Sequence, residues 1–226
     1  MLNFKNLSYN YSSNQVLKNL NLSLEKGKVH GLIGLNGSGK TTLLNCLFGF
    51  IKPLSGEILW NDLLIERKHI SFLETQNSFY PNLTGREFLT IFPDGKGNFN
   101  EDAWKDLLDL PIDEMVEGYS TGMKKKLSLL CILKLDRPVI VLDEPFNGLD
   151  METNHILEKL ISILKQKGKT IIITSHILGI LHNVCDEIHW LKDGKIEKSF
   201  SRNEFQSIDN QLFKGTEIED GLLNLL

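Results

Sequence analysis

Apolar and polar positions alternate over the first 24 residues. Leu2 and Phe4, then Leu7, Tyr9 and Tyr11, then Leu20, Leu22 and Leu24 recur at every second position. A period of two predicts strands with one buried face. Ser12-Ser13-Asn14 supplies a turn between two of them. Another strand is predicted over 56–60, with Asn61-Asp62 as its turn. Residues 28–33 read as a buried strand, followed by Leu43, Leu44 and Leu47 at helical spacing. From residue 139 the pattern becomes strand–helix–strand. Residues 139–142 form a continuous apolar run, as in a parallel strand covered on both faces. Ile156, Leu157, Leu160, Ile161 and Leu164 form a helical stripe, closed by Lys165, Lys167 and Gly168. Thr170–Thr174 is a further buried strand. Residues 188–191, Asp193-Gly194 and 195–197 predict a tight hairpin. The segment after Phe200 carries no pattern that assigns it a role.

Composition narrows the class. A chain of 226 residues suits one domain with a subdomain. A net charge of −4 offers no basic stripe for nucleic acid, and only Lys124-Lys125-Lys126 forms a short basic run. No apolar stretch reaches the roughly 18 residues of a membrane-spanning helix. Met1-Leu2-Asn3-Phe4 lacks the features of a secretory leader. Cys46, Cys131 and Cys185 are isolated and are expected in the core, in keeping with a reducing cytoplasm.

The chemistry is concentrated in residues 34–41, Gly-Leu-Asn-Gly-Ser-Gly-Lys-Thr. This is the phosphate-loop pattern, set between a predicted strand and a predicted helix. Gly34, Gly37 and Gly39 let backbone N–H groups crowd a polyphosphate, and the helix directs its positive end there. Lys40 supplies a cation for the β- and γ-phosphates and is expected to face solvent when the loop is empty. The Thr41 hydroxyl can ligate Mg²⁺. Residues 139–145 form an apolar strand that ends in Asp143, Glu144 and Pro145. Asp143 is placed to hold Mg²⁺ and Glu144 to act as general base on water. Ser120 and Gly122 stand at the start of a helix that continues through Leu127, Leu130 and Cys131. The three lysines after them oppose that helix's dipole, so they either attract phosphate together with the helix end or form a solvated basic face.

In this order the motifs resemble those of the nucleotide-binding subunit of an ATP-binding cassette (ABC) transporter, over roughly residues 1–200. Residues 34–41 resemble the Walker A loop and 139–144 resemble Walker B. Ser120-Thr121-Gly122-Met123 resembles the signature, with Thr121 and Met123 where Gly and Gln are commonest. Asn147-Gly148-Leu149-Asp150 resembles the D-loop, and Thr174-Ser175-His176 the switch histidine. The resemblance implies ATP contacts at Tyr11, which would stack on adenine, and at Gly34, Leu35, Asn36, Gly37, Ser38, Gly39, Lys40, Thr41 and Thr42. It implies γ-phosphate contacts at His176 and, from a second subunit, at Ser120 and Gly122. Without gaps, the family's Q-loop glutamine falls on Thr75, and a one-residue shift puts it on Gln76. Gln76 is expected as the third Mg²⁺ ligand, because an amide reaches further than a threonine hydroxyl.

The fold expected is α/β: a P-loop NTPase core with a mixed sheet, an N-terminal antiparallel β subdomain and a small helical subdomain near 76–136. Residues 201–226 form a tail of unknown role. The expected function is ATP hydrolysis that energises a separate transmembrane permease, with a second cassette as an ATP-dependent partner. The chain would then sit in the cytoplasm, peripheral on the inner face of the cell membrane. The Ser-x-Gly-Met signature, the short helical subdomain and the lack of a long C-terminal regulatory domain favour an exporter. Phe79, Tyr80 and Phe92 belong either to a groove for a membrane coupling helix or to the subdomain core. The competing function is a soluble ABC-type switch in macromolecular assembly.

Overall fold

The computed structural model describes residues 1–75, 78–95, 97 and 99–212, apart from the side chains of 209 and 210. The chain opens with β1 (Leu2–Tyr11) and β2 (Asn14–Leu24), then β3 (Val29–Ile33) and α1 (Lys40–Phe48). Strands β4 (Ser55–Trp60), β5 (Leu63–Leu64) and β6 (Ile70–Leu73) follow. Helices α2 (Gly85–Thr90), α3 (Glu101–Leu108) and α4 (Thr121–Lys134) come next. The rest alternates: β7 (Val139–Asp143), α5 (Met151–Gln166), β8 (Thr170–Thr174), α6 (Leu178–Val184), β9 (Glu187–Lys192) and β10 (Lys195–Ser201). A 3₁₀ segment, Arg202–Ser207, leads into α7 (Ile208–Leu212).

Two sheets result. The antiparallel one has the order β2-β1-β4-β5, and the six-stranded one the order β10-β9-β3-β8-β7-β6. In the first, the period-two pattern sets the register: Leu2 faces Leu24, Phe4 faces Leu22 and Leu7 faces Leu20. Their apolar faces pack with Leu43, Leu44 and Leu47 of α1 against one side of the second sheet. The other side is covered by Leu129 and Ile132 of α4 and by Leu157, Leu160 and Ile161 of α5. Phe205 and Ile208, past the expected domain boundary at residue 200, are buried in this layer too. All three cysteines are buried.

A third core holds α2, α3 and the start of α4 together around Phe88, Leu110, Ile112 and Leu127. Phe79 and Phe92 pack on Phe88, with ring centroids 4.9 and 5.7 Å away. Tyr80 is 65% exposed. The aromatic group thus divides, with two rings in the subdomain core and one on its surface.

Strands β3, β7 and β8 run parallel, so their C-terminal ends lie side by side, with Asp143 opposite Thr174 and Leu32 opposite Thr174. Loops at such ends form the ligand crevice of open α/β sheets. The β9–β10 hairpin braces this edge. Gly194 N–H donates to Ser38 O in the phosphate loop (3.2 Å), and Gly194 O accepts from Lys18 N–H on β2 (3.0 Å). Gly194 has φ +79°, and a Cβ there would fall 2.1 Å from Val16 O. Gly194→Val is therefore expected to lower stability by about 1–3 kcal/mol, as overpacking does, and to weaken ATP binding. Thermal unfolding and ATP titration of the variant check both effects.

Candidate functional site

The phosphate loop leaves β3 at Gly34 and enters α1 at Lys40. Gly37 (φ +81°) and Gly39 (φ +108°) take left-handed conformations, and a Cβ on Gly39 would press on Leu17 and Val16 of β2 at 3.1–3.4 Å. This backbone aims N–H groups inward as an anion-binding nest. Ser38 Oγ is buried without a hydrogen-bond partner among the described residues. An orphaned donor inside such a loop fits a phosphate oxygen. Lys40 does not face solvent as expected. It folds back, and its Nζ donates to Gly34 O (2.6 Å) and Leu35 O (3.4 Å). Burial lowers its pKa, against the pull of Glu144 and Asp143.

The acidic end of β7 is held by two hydroxyls. Thr75 Oγ1 donates to Asp143 Oδ2 (2.7 Å), and Thr174 Oγ1 donates to Asp143 Oδ1. Thr174 Oγ1 also accepts from Glu144 N–H (2.9 Å). Glu144 has φ +49°, an unusual conformation for a residue with a Cβ. Its turn is clamped from below by Lys125, whose Nζ donates to Glu144 O and, at 3.2 Å, to Asn147 O. The Glu144 carboxylate is buried. Oε2 accepts from Asn147 Nδ2 (3.2 Å) and from His176 N–H (3.4 Å). His176 Nε2 stands 3.1 Å from Oε1, close enough for charge attraction but without the alignment of a hydrogen bond. Oε1 thus retains an open acceptor direction.

Two of the three lysines of the basic run, Lys125 and Lys126, turn to the protein's own carbonyls. Lys125 is buried under Glu144, and burial lowers its pKa against the pull of Glu144 and Asp143. Lys126 Nζ donates to Leu108 O (2.8 Å) and lies 3.4 Å from Asp150. Both cations serve backbone turns, as buried charges must find partners.

One cavity of about 410 Å³ gathers most of the expected residues. Tyr11, Asn36, Gly37, Ser38, Gly39, Lys40, Thr41, Thr42, Asp143, Glu144 and His176 all line it. Gly34 and Leu35 line a neighbouring cavity of about 400 Å³ that shares Asn36, Gly37, Ser38 and His176. Ser120 and Gly122 line neither. Ser120 is exposed, and its Oγ accepts from Met123 N–H (3.2 Å) as the cap of α4. Gln76 lies outside the described residues; Thr75, the ungapped alternative, meets Asp143.

Thr174 and Asn147 stand within the switch and D-loop motifs and Lys125 within the basic run, but the sequence shows neither their contacts with Asp143 and Glu144 nor that they hold the acidic strand end. The cavity offers N–H donors and a lysine for polyphosphate, and oxygen ligands on Thr41 and Asp143 for a hard cation. It also offers a carboxylate with a free lone pair for water.

Known proteins match this arrangement. The family model described as "ABC transporter" matches residues 17–147, more than half of the chain. The ABC transporter ATP-binding protein YtrB of Bacillus subtilis is 32% identical over 215 residues, covering 91% of this chain and 74% of the relative. The lantibiotic transport ATP-binding protein SrtF of Streptococcus pyogenes is 33% identical over 225 residues, covering 94% and 97%. A solved ATP-binding subunit of an ABC transporter superposes with a TM-score of 0.79 at 25% identity, covering 100% of this chain and 99% of that one.

Thr174→Val keeps the side chain's shape but leaves the buried Glu144 N–H unpaired. A loss of about 1–3 kcal/mol of stability is expected, with ATPase activity reduced more than tenfold because Asp143 and Glu144 lose their common anchor. Thermal unfolding and steady-state phosphate release measure the two effects.

Proposed function

The chain belongs to the ABC transporter family as an ATP-binding subunit and ATPase, and we propose that it powers export through a separate transmembrane permease. The observation that carries this is the convergence of Lys40, Thr41, Asp143, Glu144 and His176 on one cavity, while Ser120 and Gly122 stand outside it. Half of a γ-phosphate site is present in one chain. The other half has the exposed, helix-capping form that a second chain would present.

In this reading Tyr11, 48% exposed at the cavity mouth, stacks on adenine. The N–H groups of residues 34–42 receive the phosphates, and Lys40 exchanges its two carbonyl partners for phosphate oxygens. Mg²⁺, when bound by Thr41, Asp143 and the Q-loop side chain, supplies charge neutralisation at the β- and γ-phosphates. Glu144 Oε1 accepts the proton of the attacking water, whose position His176 helps to fix. Ser120 and Gly122 of a second subunit close the far side, exclude bulk water and complete the donor set. Loss of the γ-phosphate then removes the bridge between subunits.

Among the described residues no helix is long and apolar enough to cross a membrane. In this reading the permease holds the chain at the inner face of the membrane, with the exposed Tyr80 ring as a contact. The outward direction is supported by the likeness to SrtF, which is named for lantibiotic transport.

Glu144→Gln tests the proposal. It keeps size and hydrogen bonding but cannot take the water's proton, and it removes a negative charge beside the γ-phosphate. Hydrolysis is expected to fall by about 10²–10⁴-fold, and the variant is expected to accumulate as an ATP-bound dimer. Phosphate release and light scattering with and without Mg·ATP read both outcomes. Near-normal turnover would move the base elsewhere, and a monomer at saturating ATP would remove Ser120 and Gly122 from the site.

A further inference from the structure

Away from the ATP cavity, a second group of chemically capable side chains meets between β3 and β9. These strands pair in parallel, His30 beside Glu187 and Leu32 beside His189. His30 is fully buried and His189 is 2% exposed. They adjoin Phe4, Leu22, Leu24, Leu43 and Leu44, at the junction of the two sheets. His30 Nδ1 and His189 Nε2 face each other at 3.2 Å. Glu187 Oε2 lies 3.7 Å from the first nitrogen and 3.9 Å from the second. All three atoms thus surround one point.

The outer nitrogens show which electron pairs point inward. His30 Nε2 is 2.9 Å from Glu25 O. A carbonyl only accepts, so the His30 proton sits on Nε2 and Nδ1 presents a lone pair inward. His189 Nδ1 is 2.8 Å from Ser199 Oγ. With the hydroxyl accepting there, His189 Nε2 presents a lone pair as well. Two facing lone pairs repel unless a cation lies between them. Carbonyl and hydroxyl partners on the outer nitrogens are also what orients imidazole ligands around metals. Two nitrogens each about 2.0–2.1 Å from a tetrahedral Zn²⁺ stand roughly 3.3–3.4 Å apart, close to the separation found here.

We propose that His30 Nδ1, His189 Nε2 and Glu187 Oε2 bind a borderline divalent transition metal, Zn²⁺ foremost, which clamps β3 to β9. Two imidazoles and one carboxylate form a ligand set suited to such ions, unlike the all-oxygen set of the ATP cavity. Burial lowers the pKa of both rings, that of His189 to about 3, which keeps them in the neutral form that metals require. Lys28 does not close the site. Its Nζ is divided between Glu187 Oε1 (2.9 Å) and Glu25 (2.7 Å), leaving Oε2 for the ion. The Glu187 side chain is 25% exposed, so solvent reaches the ion from that side and a water completes the coordination. The clamp is structural. It fixes the strand that delivers Gly34 to the phosphate loop.

The same atoms permit one other arrangement, with Ser199 donating to His189 Nδ1 and a single proton shared between the inner nitrogens. That arrangement takes up no metal, and the experiment separates the two. Nucleotide-free protein, stripped with EDTA and gel-filtered, is titrated with Co²⁺ and then Zn²⁺. The site predicts one Co²⁺ per chain with a visible ligand-field band, displacement by Zn²⁺, and a rise in Tm with Zn²⁺ but not with Mg²⁺. His30→Gln and His189→Gln, checked for folding by circular dichroism, are expected to weaken Co²⁺ binding at least tenfold. Glu187→Gln lies at the solvent edge and serves if a histidine variant does not fold; it is expected to weaken binding too. His176→Ala is expected to retain the band. Absence of the band at micromolar Co²⁺, or uptake that survives in the folded His30, His189 and Glu187 variants, overturns the proposal, as does loss of uptake in His176→Ala alone.

Discussion

Thr174 Oγ1 lies between two consecutive carboxylate residues, donating to Asp143 and accepting from Glu144 N–H at 2.9 Å. The site depends on this position. Adjacent acids at a strand end repel each other and compete for the same donors. Here they diverge because Glu144 takes φ +49° and turns its side chain toward His176, while Asp143 stays in line with β7. A left-handed glutamate persists only where its surroundings over-determine it. Its N–H is taken by Thr174, its carbonyl by Lys125 and its carboxylate by Asn147. Each of these partners comes from a different element, so β8, α4 and the loop after β7 must all be in place before the base is aimed.

The parts legible in the sequence were those with a local cause. Period-two alternation wrote β1 and β2, short apolar runs wrote β7 and β8, and the glycine spacing wrote the phosphate loop and, with it, the strand β3 before it. The parts that escaped are pairings between distant residues. Lys124-Lys125-Lys126 looks like a solvated or phosphate-facing run, yet Lys125 is drawn under a loop about twenty residues later. Nothing local marks it, since its partners are backbone carbonyls that every residue carries. Phe205 and Ile208 went unread for a related reason. A single turn holds too few apolar residues to show a period, and its burial is decided by the groove it meets. Thr75 was found only as an alternative, and its contact with Asp143 depends on how the chain leaves β6.

Most of the polar capacity of the cavity's charged groups is taken up internally, Glu144 Oε1 excepted. Lys40 rests on Gly34 and Leu35 carbonyls, Asp143 on two hydroxyls, and Glu144 on an amide with a histidine nearby. Burial without such partners would cost several kcal/mol per group. Nucleotide must therefore exchange contacts rather than simply add them. Exchange explains how a lysine with a pKa lowered by burial still serves a polyphosphate. The incoming charge replaces weak carbonyl dipoles with full anions, and the balance tips only when phosphate is present. The groups that hold the empty loop together are thereby the groups that report its filling.

Strand β3 carries this loop, and its two neighbours restrain it differently. On the β8 side the contact ends in Thr174 and so couples the loop to the acids. On the β9 side it ends in the hairpin tip, where Gly194 ties Ser38 to Lys18. A displacement of β3 along its axis would strain both at once, because the parallel ladders fix its register to each neighbour. The imidazole pair lies on the β9 side, with His30 on β3 itself and His189 on β9. A contact between His30 and His189 therefore acts on the strand that carries the loop, near the end opposite to Gly34.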